Sequence, residues 1–294
     1  IPSLSLDHGL VFERPVQWLS QSWRQTLEPR LLYVNTPYRD QSALPNYDSA
    51  LKDFNIDSIF TDDLFTGIDR VSDANQLTAG VTTRFLAQSN GAEAMRLGLV
   101  QRYLFNDQLV TGDGLPNTHR LSDLLLFGST HLVPRWWFDG SVQYSPDQHQ
   151  VTRSVLTARY TPGDFRTVSL AYRLTRSQSE QVELAWQWPI LGNPSAKSVS
   201  LQGDMAPKSM EQAVASSSGS CKGALLSVGR VNYSVLDRRV VDALVGLEYD
   251  AGCWVGRFAV QHLATGRSEA TTRYLLQLEL IGFAKMGTNL FQVL

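Results

Sequence analysis

Long apolar runs are missing from this sequence. A transmembrane helix needs about 18 consecutive apolar residues, and the longest candidate, Val240 to Leu247, is cut by Asp242. A helical membrane protein is therefore not expected. Charge is also scarce: Asp, Glu, Lys and Arg make up 18% of the 294 residues, with a net charge of -2, where about 25% is usual in soluble chains. Lysine is confined to Lys52, Lys197, Lys208, Lys222 and Lys285, so the cations are mostly Arg. Arg forms bidentate bonds with phosphate and carboxylate, which suits phosphorylated lipids and ordinary ion pairs alike. The only cysteines, Cys221 and Cys253, sit in no CxxC, and the five His have no ligand spacing, so no metal or cofactor is expected. The first residues have neither a basic region nor a long apolar stretch, so no signal peptide is expected. GxSxG, HExxH, P-loop and GxGxxG patterns are absent, and the chain is not expected to be an enzyme. Asp62 and Asp63 read as solvated loop acids rather than a calcium site. His119, Ser122 and Asp123 are close in sequence, but strand neighbours alternate faces.

What is abundant is alternation with a period of two residues. Val241, Ala243, Val245, Leu247 and Tyr249 oppose Asp242, Gly246, Glu248 and Asp250. Val182, Leu184, Trp186 and Trp188 oppose Glu183, Ala185 and Gln187; Val168, Leu170, Tyr172 and Leu174 oppose Ser169, Ala171 and Arg173. Tyr274, Leu276, Leu278 and Leu280 oppose Arg273, Gln277 and Glu279; Leu77, Ala79, Val81 and Phe85 oppose Gln76, Thr78, Thr82 and Arg84. Weaker segments lie around 24–38, 94–106, 121–132, 135–145, 150–160, 223–235 and 253–264, with a first strand at 3–13. The expected fold is all-β: about thirteen antiparallel strands of membrane-spanning length, an arc of a transmembrane β-barrel. Soluble strands average nearer five or six residues. Aromatics such as Trp136, Trp137, Tyr144, Tyr160, Trp186, Trp188, Tyr249 and Trp254 cluster near segment ends, as interfacial girdles do.

Turn residues (Asn90-Gly91, Pro162-Gly163-Asp164, Asp250-Ala251-Gly252) mark short connections. The longest connection, 39–75, is expected to be a long extracellular or lumenal loop. A Ser-rich stretch, 190–222, is expected to be a flexible insertion. An odd number of antiparallel strands cannot close without a parallel seam, so thirteen implies a miscount or a part of a larger barrel.

Specific motifs carry a resemblance. They are Leu27-Glu28-Pro29-Arg30-Leu31 with Tyr33, Pro37-Tyr38-Arg39-Asp40-Gln41, Pro45-Asn46-Tyr47-Asp48-Ser49, Leu64 to Arg70, and Asp73-Ala74-Asn75-Gln76-Leu77-Thr78. Gly98 to Phe105, Trp188-Pro189 and Tyr249 to Trp254 follow in order. Together they resemble the C-terminal half of the LptD family of lipopolysaccharide-assembly barrels. The resemblance implies a barrel of roughly 26 strands preceded by a periplasmic jellyroll. It implies transport of lipopolysaccharide into the outer leaflet of a Gram-negative outer membrane, with an LptE-type lipoprotein plug and an LptA-type periplasmic bridge as partners. It also implies an interdomain disulfide at Cys253, with a Cys221–Cys253 bond as the rival pairing.

Arg84, Arg96, Arg102, Arg173, Glu183, Glu248, Arg257, Gln277 and Glu279 are candidates to face the lumen, where cross-strand ion pairing is the simpler role for each. In the long loop, Leu51, Phe54, Ile56, Ile59, Phe60, Leu64 and Phe65 require burial. Phe54, Ile56, Phe60 and Phe65 are candidate contacts for the plug. The alternative function is a generic porin or uptake channel.

Overall fold

The computed structural model describes residues 1–18, 21–192, 223–251, 253–264, 269–280 and 284–287. Most of the insertion expected at 190–222, including Cys221, lies outside the described residues. Among the described residues no helix is long and apolar enough to cross a membrane, a statement that does not concern strands. The fold is all-β, with one short helix, α1 (Ile56–Ile59).

Two compact units are present: Ile1–Thr157 with Arg173–Gln178, and Ala158–Tyr172 with Ser179–Leu294. The first holds β1 (Leu4–Gly9), β2 (Phe12–Trp18), β3 (Gln21–Thr36), β4 (Ala74–Ala87), β5 (Glu93–Leu104), β6 (Leu124–Thr130) and β7 (Trp136–Ser145). Residues of β8 (Gln150–Gly163) and β9 (Arg166–Thr175) belong to both units. The second holds β10 (Ser179–Leu191), β11 (Ala224–Ser234), β12 (Arg239–Asp250), β13 (Trp254–Ala264), β14 (Ala270–Leu280) and β15 (Ala284–Gly287). Within the first unit β3 to β7 pair consecutively and antiparallel, as do β10 to β15 within the second.

The expected strand at 3–13 is a longer, broken stave. β1 pairs with Arg30–Asn35 and β2 with Gln21–Leu27, both on one edge of β3. The break faces Glu28 and Pro29. Proline has no N–H to give a ladder, and its carbonyl accepts from the Leu10 N–H at 3.0 Å. β15 lies beyond the expected strands. Counting β1 and β2 as one, the described residues hold fourteen staves rather than thirteen.

Tight cross-strand packing depends on small residues opposite rings. A Cβ on Gly98 would stand 2.1 Å from the Phe127 ring, its register partner on β6. Gly229 on β11 meets the Trp186 ring at 2.3 Å in the same way.

Aromatic rings mark two levels of the first unit. Tyr33, Tyr103 and Phe105 cluster at the end with the long connections, at centroid distances of 6.3 and 5.1 Å. Trp18 and Phe85 meet at 5.6 Å toward the opposite end. Tyr33 is paired with Leu77, and from Leu77 to Phe85 the strand rises roughly 26 Å at about 3.3 Å per residue. A tilt of about 40° reduces that to roughly 20 Å, close to the ~25 Å apolar band of a membrane barrel.

Candidate functional site

Period-two alternation separates oily from polar side chains, and burial shows which side each occupies. On β14, Tyr274 and Leu276 are 72% and 68% exposed, whereas Gln277 between Leu276 and Leu278 is 4% exposed. On β12, Val245, Leu247 and Tyr249 are exposed, while Asp250 is buried. On β13, Trp254 and Phe258 are exposed, while Arg257 and Gln261 are buried. On β4 and β5, Val81, Leu97, Leu99 and Tyr103 are exposed, and Gln76, Thr78 and Arg102 are buried. A soluble sheet buries the opposite set. Within each unit these exposed apolar residues lie on neighbouring strands, β4 and β5 in the first and β12 to β14 in the second, which is more than single scattered residues.

The inner face of the first unit carries the long connection, residues 37–73. Asn55 caps α1, accepting from the N–H groups of Asp57 and Ser58, and Ser58 returns a bond to the Asn55 N–H. This capping box starts a single turn whose Ile59 is fully buried. Phe60 packs on Leu32, Val34 and Ala74, with the Arg30 guanidinium 4.5 Å from its ring centre. Arg102 donates from Nε to Thr78 Oγ1 at 3.1 Å and from Nη2 to the Ile59 carbonyl. Gln143 on β7 donates to the Phe54 carbonyl at 2.6 Å, and Arg153 pairs with Asp53 at 3.8 Å. A cavity of about 620 Å³ remains under the segment, lined by Ile56, Phe60, Arg84, Arg96 and Phe127 among others.

Of the four candidate plug contacts, Phe65 is buried by the chain itself, Phe60 sits in this cluster, and Phe54 and Ile56 are half-buried. The loop's most exposed apolar residues are Ile68 and Tyr47, neither of them among the expected contacts. Asp63 is not a solvated acid: its Oδ1 accepts from Phe65 N, Ser72 N and Ser72 Oγ at 3.1, 3.0 and 2.9 Å. Asp73 likewise fastens the 105–123 connection, accepting from the N–H groups of Leu109 and Val110.

Two exposed loop acids, Asp48 and Asp69, are shifted in opposite directions. The Tyr47 and Asp48 N–H groups, at 2.8 and 3.0 Å, hold the Asp69 carboxyl below the usual range. A side-chain hydrogen bond to Asp69 pushes the Asp48 carboxyl up.

The other lumen candidates pair across strands. Arg84 lies 3.3 Å from Glu28 and 3.7 Å from Glu93, and Arg96 lies 3.5 Å from Glu93. In the second unit Arg257 binds Glu248 at 2.6 Å and Glu279 at 2.8 Å. Glu248 is its register partner, while Glu279 is reached on the diagonal, two residues past Gln277. Arg173 and Glu183 stand on β9 and β10. Sequence reasoning also missed Asp242, which pairs with Arg230 at 2.7 Å; both lie on polar positions of neighbouring strands.

Cys253 is exposed in the β12–β13 turn, its thiol 3.9 Å from the Ala251 carbonyl. β10 ends and β11 begins at this same end of the second unit. His119, Ser122 and Asp123 form no triad: they bind Asp147, the Asp123 carbonyl and Thr152 respectively. Among the described residues no three His, Cys, Asp or Glu side chains gather as a metal site.

A family model described as LptD, LPS transport system D, matches residues 1–193. Proteins named LPS-assembly protein LptD are similar across nearly the whole chain. The one from Polaromonas sp. is 49% identical over 100% of the chain and 34% of its own length. That from Albidiferax ferrireducens is 46% identical over 98% of the chain and 35% of its own length. That from Burkholderia thailandensis is 40% identical over 99% and 35%. The chain thus spans about a third of these relatives, less than the half expected from the motifs. With the family model covering most of its length and relatives matching throughout, the chain belongs to the LptD family of LPS-assembly proteins.

Proposed function

We propose that this chain is an arc of a Gram-negative outer-membrane β-barrel that delivers lipopolysaccharide to the outer leaflet. The match to LPS-assembly proteins along the whole chain carries this reading. The inverted sheet supports the membrane placement, because outward leucines and aromatics need lipid and inward Arg, Gln and Glu need a wet interior. A lipid with sugars, phosphates and acyl chains needs both environments at once. In this reading the chain is the C-terminal part of the barrel, and the remaining strands lie on the relatives' unmatched length. An LptE-type lipoprotein sits within part of the lumen, and an LptA-type bridge feeds the barrel through a periplasmic domain. In this reading Cys253 bonds to that domain, and its exposure in the β12–β13 turn supports the assignment.

Depletion of the full-length protein tests the function. Surface lipopolysaccharide, read by modification from outside the cell, is expected to fall while inner-membrane lipopolysaccharide accumulates. Unchanged delivery on depletion would leave a generic channel as the better reading.

A further inference from the structure

We infer that Arg102 is a positioning residue, a latch that holds residues 53–60 across the interior of the barrel and keeps its passage closed. The inference rests on the barrel reading above. Arg102 is 5% exposed, and among the described residues no carboxylate lies within ion-pair distance of it. A buried cation without a counter-charge is costly. Its guanidinium is instead spent on one knot. Nη2 donates to the Ile59 carbonyl, Nε donates to Thr78 Oγ1, and the Thr78 hydroxyl donates to the same carbonyl at 3.4 Å. That carbonyl belongs to the end of α1, where helix carbonyls lack an internal partner.

The other end of the segment is tied by Gln143 to Phe54 and by Arg153 to Asp53. Residues 53–60 are thereby strapped across the face of β3, β4, β5 and β7 that carries Leu32, Val34, Thr78, Arg102 and Gln143. Ile59 and Phe60 alone would serve to bury the segment. The polar knot adds a fixed position and an attachment that entering water can loosen.

The test uses the full-length protein with its native partners, reconstituted in planar bilayers in KCl. Arg102→Ala is expected to raise the released population of the strap by roughly tenfold or more. This is read as increased conductance and as new protease cleavage within 53–60. Arg102→Lys keeps one donor but not the fork and is expected to restore part of the closure. Heat-modifiable mobility reports whether each barrel is folded. If Arg102→Ala does not fold, Gln143→Ala at the opposite end carries the same comparison. A folded variant with unchanged conductance and unchanged protection of 53–60 overturns the latch. Surface lipopolysaccharide, measured in parallel, tests the proposed function, so the two ideas fail separately.

Discussion

Two kinds of arginine pair coexist, and solvent decides their worth. Arg24 and Glu13 stand 3.6 Å apart with both side chains 49% exposed, a setting where ion pairs contribute about 0–1 kcal/mol. Arg257 is held by two carboxylates with its side chain 6% exposed. Removing one partner of such a buried set costs roughly 3–5 kcal/mol. Arg257→Ala is therefore expected to lower the urea midpoint of the detergent-solubilised protein strongly, and Arg24→Ala hardly at all. Equal effects would refute the distinction. Period two alone places Arg84, Arg96, Arg102, Arg257, Glu248 and Glu279 on the polar side. It does not say that Arg257 skips Gln277 to reach Glu279, because that requires the register of β13 against β14. Nor does it identify Arg102, whose partners are a hydroxyl and a backbone carbonyl, and carbonyls leave no trace in side-chain pattern.

Strands longer than about ten residues were legible from alternation, and β4, β10, β12 and β14 stand where it placed them. β15, with four residues, is too short to show a period, and the break between β1 and β2 reflects a proline on the neighbouring strand. The 37–73 connection was legible as an apolar loop but not as one docked on its own sheet. Its acids are expected to give it a pH response. The raised Asp48 contributes order below the ordinary carboxylate range and loses it as pH rises through its shifted value. The lowered Asp69 contributes above that range and loses it as pH falls. Loop protection against protease is expected to peak in the acidic window between them. Asp48→Asn, which supplies a side-chain donor near Asp69, is expected to remove the loss on the alkaline side; a profile identical to wild type would count against coupling between the two acids.

For the molecule as a whole, the decisive property is which solvent its outer surface requires. Leu276→Arg places a charge on the exposed side of β14, at an expected cost of about 2–4 kcal/mol if that side lies at mid-bilayer. Gln277→Leu, on the buried side, is expected to change vesicle insertion far less. A Leu276→Arg chain that inserts as well as wild type would mean that the outer face does not meet lipid. The Glu248–Arg257–Glu279 ladder has a consequence for how such a sheet is put together. Sliding β13 by a single residue would turn its side chains to the other side and swing the guanidinium onto the exposed apolar face while leaving two carboxylates without it. Misaligned β12, β13 and β14 thus carry a penalty on three charges at once, so this small ladder favours a single alignment of the three strands.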